Sequence, residues 1–344
     1  MKLGSHHLTS RVFVAPMAGV TDRPYRQLCR RLGASYAVSE MASSRPELRH
    51  SLKTLSRTDL DGEPQPRAVQ IAGADPAMMA DAARFSVDRG AQVIDINMGC
   101  PAKKVCNVQA GSALMANEPL AVRIIDAVAN AVRVPVTVKM RTGPHPGDRN
   151  AARLAVEAER AGAAMITVHG RSRACGFSGR AEYQTIAAVK SAVRVPVVAN
   201  GDITSPEKAR DVLAYTGADA VMVGRAAQGR PWIFREIGHF LATGTHMAPP
   251  LVAEVRRLLL EHLHDHYRLY GELTGVRSAR KHIAWYVRQL PGGEELRQHI
   301  NTIDDCQVQW QAVADYFDRL GQQMERLPRM AQADAEQAIE ELAA

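Results

Sequence analysis

Between Val12 and Leu241, short runs of small and β-branched apolar residues alternate with longer stretches whose apolar positions recur every three or four residues. The short runs fall at 12–17, 35–38, 68–72, 93–97, 135–139, 165–169, 196–200 and 220–223. Such continuous apolar runs read as strands buried on both faces, as in parallel sheets. The stretches between them read as helices at about 24–32, 76–89, 119–132, 150–161, 188–193, 206–215 and 231–241. Several begin at a proline (Pro24, Pro76, Pro119, Pro206, Pro231), where a first-turn residue needs no N–H donor. Gly90 and Gly162 suit helix C-caps. A long polar loop, rich in turn formers around 59–66, separates the second and third strands.

Eight such units point to an α/β fold, a (β/α)8 TIM barrel spanning 1–245. The competing open, doubly wound sheet would carry a GxGxxG turn after its first strand. The chain has Pro16-Met17-Ala18-Gly19 there instead. A linker at 244–250 then ends the alternation. Strand signals stop, and helical periodicity runs on to about Leu327. A smaller all-helical C-terminal domain is expected over 246–330, followed by an acidic tail, 331–344, with four carboxylates and no Lys or Arg.

Composition adds limits. The hydrophobic fraction of 46% and charged fraction of 23% are those of a globular protein. No apolar run is long enough to cross a bilayer, and residues 1–10 lack a signal-peptide core, so a cytoplasmic protein with no membrane association is expected. The 5 cysteines are scattered with no CxxC pair, which argues against a disulfide framework or a structural zinc site. No metal is expected. A formal charge of +7 suggests a polyanionic partner.

The candidate chemistry lies where the strands end, the face on which barrel enzymes build their sites. Pro16, Met17 and Ala18 follow strand one, Gln70 lies in strand three, and Asn97, Lys139 and His169 close strands four to six. Asn200, Gly201 and Asp202 close strand seven, and Gly224 and Arg225 close strand eight. One buried polar residue is ordinary; so many at one rim are costly unless used. Gly201, Gly224 and Arg225 suit a phosphate at the loops after strands seven and eight. Lys139 could be a Schiff-base lysine, an ion-pair partner, or a positive charge beside an electron-rich cofactor ring. His169 and the phosphate site favour the third, with flavin mononucleotide (FMN) as the cofactor. After strand four, Gly99-Cys100-Pro101 presents a thiol on a stiff turn, with Gly99 expected to supply the bend. A buried structural cysteine is the alternative.

The stretch Asp95-Ile96-Asn97-Met98-Gly99-Cys100-Pro101, with Val105, Gly111 and Ser112 downstream, closely resembles the signature of the tRNA-dihydrouridine synthases. Residues 15–22, Asn200-Gly201-Asp202-Ile203 and Gly224-Arg225 fit the same family. Ala102-Lys103-Lys104-Val105 and residues 225–232 look most like its bacterial DusB branch. The resemblance implies an FMN enzyme that reduces the C5=C6 bond of D-loop uridines in tRNA, with NADPH as reductant. Cys100 would donate the proton to C5. The rim residues named above would hold the flavin, and Asn97 and Arg141 would lie near the uracil. One departure is Pro144-His145-Pro146 after Arg141-Thr142-Gly143, where the family often has an aromatic. Lys103 and Lys104 could lower the Cys100 pKa or meet RNA phosphates.

The segment 276–288 places Arg277, Arg280, Lys281 and Arg288 on one helical face, opposite Ile283, Tyr286 and Val287. Beside such a site an RNA clamp is the better reading of that face, although a solvated basic face is common. A monomer is expected. The rival readings are a flavin oxidoreductase for a free pyrimidine and a non-catalytic tRNA-binding protein.

Overall fold

The computed structural model describes residues 1–329, so the acidic tail lies outside the described residues. An antiparallel hairpin of β1 (Lys2–Leu3) and β2 (His6–His7) comes first. Nine parallel strands follow: β3 (Val12–Val14), β4 (Tyr36–Ala37), β5 (Ala42–Ser43), β6 (Ala68–Ala72), β7 (Val93–Met98), β8 (Val136–Arg141), β9 (Ala163–His169), β10 (Val197–Asn200) and β11 (Ala220–Val223). Hydrogen bonding runs β4-β3-β11-β10-β9-β8-β7-β6-β5. A parallel bridge from Val38 to Ala68 closes the ring.

This is a TIM barrel with its second strand split. β4 pairs with β3, Val38 just past it bridges Ala68 at the base of β6, and β5 pairs with Ile71 and Ala72 at the top of β6. Ser39 lies at the break. Its N–H donates to Ala68 O at 3.1 Å, and its hydroxyl accepts from Gln70 N at 3.0 Å. The polar loop after it also holds two short helical turns, Pro46–Leu48 and Leu52–Arg57, which the pattern of apolar residues does not reveal. The other helices fall within two or three residues of expectation, except that Gln184–Ala192 begins four residues earlier.

Side chains alternate across the strands, so every second residue points into the barrel. The floor is apolar: Phe13, Tyr36, Ala68, Val93, Met165, Val198 and Ala220 pack there. Leu3 of the N-terminal hairpin and Leu8 just after it plug it from below. Two residues further along the same strands the interior turns polar, with Gln70, Asp95 and Thr137 in register. Asn97 and Lys139 pair above them. Outward-facing residues of the same strands pack under the surrounding helices in a separate, larger apolar core.

The C-terminal helices Val252–Tyr270, Glu272–Val287, Gly293–Ile300 and Cys306–Gln323 share a third core. Leu28 and Leu32 from the first barrel helix region and Trp232 join that core. The helical region is therefore docked on the barrel beside the loop that follows β3.

Candidate active site

A cavity of about 460 Å³ opens at the C-terminal ends of the strands. Its wall includes Pro16, Met17, Ala18, Gln70, Asn97, Cys100, Lys139, Arg141, His169, Asn200, Gly201, Asp202, Gly224 and Arg225. Met41, Phe177 and Gln228 also line it; all three come from loops with no sequence signal to single them out. Lys103, Lys104, Arg277, Arg280, Lys281 and Arg288 lie outside it.

A hydrogen-bonded chain crosses the barrel interior. Thr137 Oγ1 donates to Asp95 Oδ1 at 2.5 Å, and Gln70 Nε2 donates to Asp95 Oδ2 at 2.7 Å. Asn97 Nδ2 donates to Gln70 Oε1 at 2.7 Å. These bonds orient both amides, leaving Asn97 Oδ1 to accept from the backbone N–H of Gly99 (3.2 Å) and of Cys100 (3.0 Å). The turn is thus held by Asn97. Gly99 is not left-handed, and a Cβ there would meet its nearest neighbour at an ordinary 3.5 Å.

The glycine this turn requires is Gly111. Its φ is +62°, and a Cβ on it would lie 2.8 Å from Cys100 O and 2.8 Å from Val105 Cγ1. Ser112 then fixes the same carbonyl through its N–H at 3.0 Å and its hydroxyl at 2.9 Å. Cys100 is pinned at both ends while its thiol faces the cavity. Burial pushes that thiol above its ordinary pKa; the Arg141 and Lys139 charges oppose this and lose. Lys103 and Lys104 are not among the groups that shift it. They sit exposed on the short helix Lys103–Cys106.

Lys139 is 9% exposed and donates to Asn200 Oδ1 at 2.9 Å. Asn200 is oriented in turn by donating to Met222 O at 2.8 Å. Burial, helped by the Arg141 charge, holds Lys139 down at about 8. His169 is pushed well below its usual value, first by burial and then by Lys139, Arg141, Arg171 and Arg225, so it is neutral. Its Nε2 lies 3.4 Å from Arg171 Nη1. A guanidinium can only donate, which assigns the ring proton to Nδ1.

Arg171 is a site residue that the reading of strand ends missed, because it lies two residues past β9. It grips Asp202 with two bonds of 2.9 and 2.8 Å, and Arg225 approaches the same carboxylate at 3.4 Å. Gly201 and Asp202 both have positive φ, 117° and 47°. A Cβ on Gly201 would stand 2.8 Å from Ala181 Cβ and 3.1 Å from His169 Cδ2. A strained non-glycine residue at a ligand-facing turn is a common mark of a functional loop. Arg141 donates to Gly99 O (2.7 Å), Ser172 O (2.9 Å) and Gly176 O (2.6 Å), and both Arg141 and Arg225 stack near the Phe177 ring. The mouth therefore combines an apolar wall at 16–18, four cationic side chains, a neutral imidazole and a protonated thiol. That set suits an anionic, partly apolar ligand and a proton transfer beside it.

The basic helical face is less free than its spacing suggests. Arg280 donates to Ile303 O and Asp304, each within 2.9 Å, and Lys281 turns back to donate to Gly19 O in the barrel. Arg277 and Arg288 are the exposed members.

The family model for dihydrouridine synthase matches residues 13–321. The tRNA-dihydrouridine synthase B of Pseudomonas aeruginosa is 56% identical, over 92% of this chain and 96% of that protein. The protein of the same name from Shewanella oneidensis is 55% identical, over 94% of this chain and 100% of its own length. Among solved structures, histamine dehydrogenase from Rhizobium sp. 4-9 superposes with a TM-score of 0.54 at 11% identity, over 97% of this chain and 66% of that one; the likeness is one of fold. With its cysteine turn, cationic mouth and full-length match, the chain belongs to the dihydrouridine synthase family.

Proposed function

We propose that this protein reduces the C5=C6 bond of D-loop uridines in tRNA to 5,6-dihydrouridine, using FMN held in the barrel mouth and NADPH as reductant. The observation that carries the reading is Cys100: a protonated thiol, fixed by Asn97, Gly111 and Ser112, on the wall of a cationic cavity. The residues present fit the flavin. Gly201, with no room for a Cβ, and Arg225 would receive the phosphate, with Arg171 holding Asp202 in place. Pro16, Met17 and Ala18 would flank the ring, and Gln70, Lys139, His169 and Asn200 would meet its polar edge. The cavity volume is in the range of roughly 300–1,000 Å³ usual for such sites.

Bound there, FMN would supply hydride chemistry at C6 of the uracil. The chain's own part is the proton. As negative charge develops on the pyrimidine, Cys100 gives its proton to C5; its raised pKa ensures that the thiol is loaded at neutral pH. The Arg141 and Lys139 charges favour the thiolate left behind. Asn97 and the remaining Arg141 donors would orient the uracil.

A base must leave its stack to reach the cavity, which costs a few kcal/mol. Contacts to the RNA backbone would offset that cost, and the exposed Lys103, Lys104, Arg277 and Arg288 would make them. Arg280 and Lys281 would contribute indirectly, by holding the helical domain (246–330) in place. One chain carries every group named, so a monomer suffices, and the substrate places the work in the cytoplasm.

The direct test is to incubate the purified protein with NADPH and unmodified tRNA and measure dihydrouridine by mass spectrometry. Turnover of free uracil without turnover of tRNA would defeat this reading. The clamp has its own test. Arg277→Ala with Arg288→Ala is expected to weaken tRNA binding and lower the slope of log K against log salt by about 1–2. An unchanged slope would place the clamp elsewhere.

Lys139 gives a pH signature. The carbonyl edge of the flavin ring would accept a hydrogen bond from protonated Nζ and so raise the Lys139 pKa above about 8, and binding then takes up a proton once the pH exceeds that value. The FMN dissociation constant is therefore expected to rise about tenfold between pH 8 and 9.5. Lys139→Gln should flatten that rise, as read from quenching of flavin fluorescence by apoprotein.

A further inference from the structure

Where the helical region meets the barrel lies a patch of buried imidazoles that the proposed reaction does not use. His262 and His266 stand four residues apart on one face of the helix Val252–Tyr270. His282 faces them from the helix Glu272–Val287, with ring centroids 4.9 and 5.3 Å away. Asp22 approaches from the barrel, where it caps the helix Arg23–Arg31 through Oδ1. All four side chains are 2% exposed or less. One ligating atom from each histidine lies within 4.8 Å of the other two.

Hydrogen bonding fails here in a specific way. Both ring nitrogens of His262 and Nε2 of His282 are buried without a hydrogen-bond partner among the described residues, while Nδ1 of His266 and Oδ2 of Asp22 face each other at 3.2 Å. Buried polar atoms are almost always satisfied, so three orphans in one pocket ask for an explanation. His266 sharpens it. Its Nε2 lies 2.7 Å from Ser278 Oγ, and Ser278 commits its own hydrogen to Thr274 O at 2.7 Å. The hydroxyl is thereby able to accept from Nε2. On the other side of the ring, His266 Nδ1 lies 3.2 Å from Asp22 Oδ2. A positive centre, proton or metal, belongs between that nitrogen and the carboxylate.

A second proton on His266 would relieve that one contact and leave His262 and His282 unpaired. A metal ion would use a lone pair from every member. Ser278 already supplies the outer hydrogen bond that metal-binding histidines use to fix their orientation.

We propose that His262, His266, His282 and Asp22 form a four-coordinate site for a divalent zinc-type cation that pins the helical region to the barrel. Imidazole and carboxylate are both zinc-ligand types, and a pocket closed off from solvent leaves none of the open position that a catalytic zinc keeps. Zinc–nitrogen bonds are about 2.0–2.1 Å, so the rings would draw inward around the ion. The sequence-based expectation of no metal considered cysteine spacing alone; this site uses none. Asp22 lies three residues after Gly19, so the ion would also brace the loop carrying Pro16, Met17 and Ala18.

The test uses the full-length, untagged protein, purified without chelator from zinc-supplemented medium. Elemental analysis is expected to find close to one zinc per chain. Absorption at the zinc edge should show three nitrogens and one oxygen at about 2.0–2.1 Å. His262→Asn and His266→Asn should each drop the zinc below a tenth of an equivalent while the protein stays yellow. Wild-type protein that carries less than a tenth of an equivalent, even after incubation with zinc chloride and desalting, overturns the proposal. So does a variant that keeps the same zinc shell; the wild-type measurement stands even if a variant fails to fold.

Discussion

Cys100→Ala is expected to cut dihydrouridine formation by 10²–10⁴-fold, about the contribution of a positioned general acid, while the protein keeps its flavin. The separation follows from the geometry. Asn97 Oδ1 holds the turn through the backbone N–H groups of Gly99 and Cys100, and Ser112 holds the Cys100 carbonyl. None of these bonds uses the thiol. The alanine variant should therefore keep the turn and the cavity, and lose only the proton. Cys100→Ser should rescue little, because a hydroxyl is a far weaker acid than a thiol. Single-turnover assays, with flavin content read by absorbance, check both. A variant that retains full activity would remove Cys100 from the chemistry.

Arg141→Ala is expected to damage both stability and rate. Arg141 is 1% exposed and satisfies three backbone carbonyls, those of Gly99, Ser172 and Gly176. Removing it strands them, at about 1–3 kcal/mol for each one left buried and unpaired. For a chain of 344 residues, a total of roughly 3–5 kcal/mol corresponds to a fall in melting temperature of about 4–7 °C. The Gly99 bond also ties the cysteine turn to the loop after β9, so the rate should fall further than lost stability explains. Arg141→Lys should recover part of the stability and little of the rate, because a point-like ammonium cannot reproduce the fork. A calorimetric scan beside turnover at a temperature where the variant is folded separates the two effects.

Much of this site can be read from the chain because barrel strands impose a period of two and end at a shared rim. Asn97, Lys139, His169 and Asn200 stand out as polar residues closing apolar runs. The period turns them inward, and parallel register gathers them. What is not legible depends on loops or on partners distant in sequence. Phe177, Met41 and Arg171 lie past strand ends, where no period applies. Lys281 has the spacing of a surface lysine, yet its partner is Gly19, 262 residues earlier. Gly99 looks like the required glycine, but the backbone constraint falls on Gly111, twelve residues on. The split of the second strand is hidden because 39–41 continue a plausible strand end. The histidine pocket had a partial signal, His262 and His266 at helical spacing. Its completion by His282 and Asp22 comes only from the packing of the helical region on the barrel.

The split strand also sets where the molecule yields. Elsewhere neighbouring strands share at least two register pairs, whereas the lower half of the split strand meets β6 through the single bridge from Val38 to Ala68, with β5 adding two pairs above the break. Local opening begins where the fewest bonds must break together. Met41, just beyond that joint, lines the cavity. The thinly paired joint of the barrel and the wall of its mouth therefore adjoin. Stitching that joint is expected to lengthen the residence time of a bound flavin without strengthening the rest of the fold.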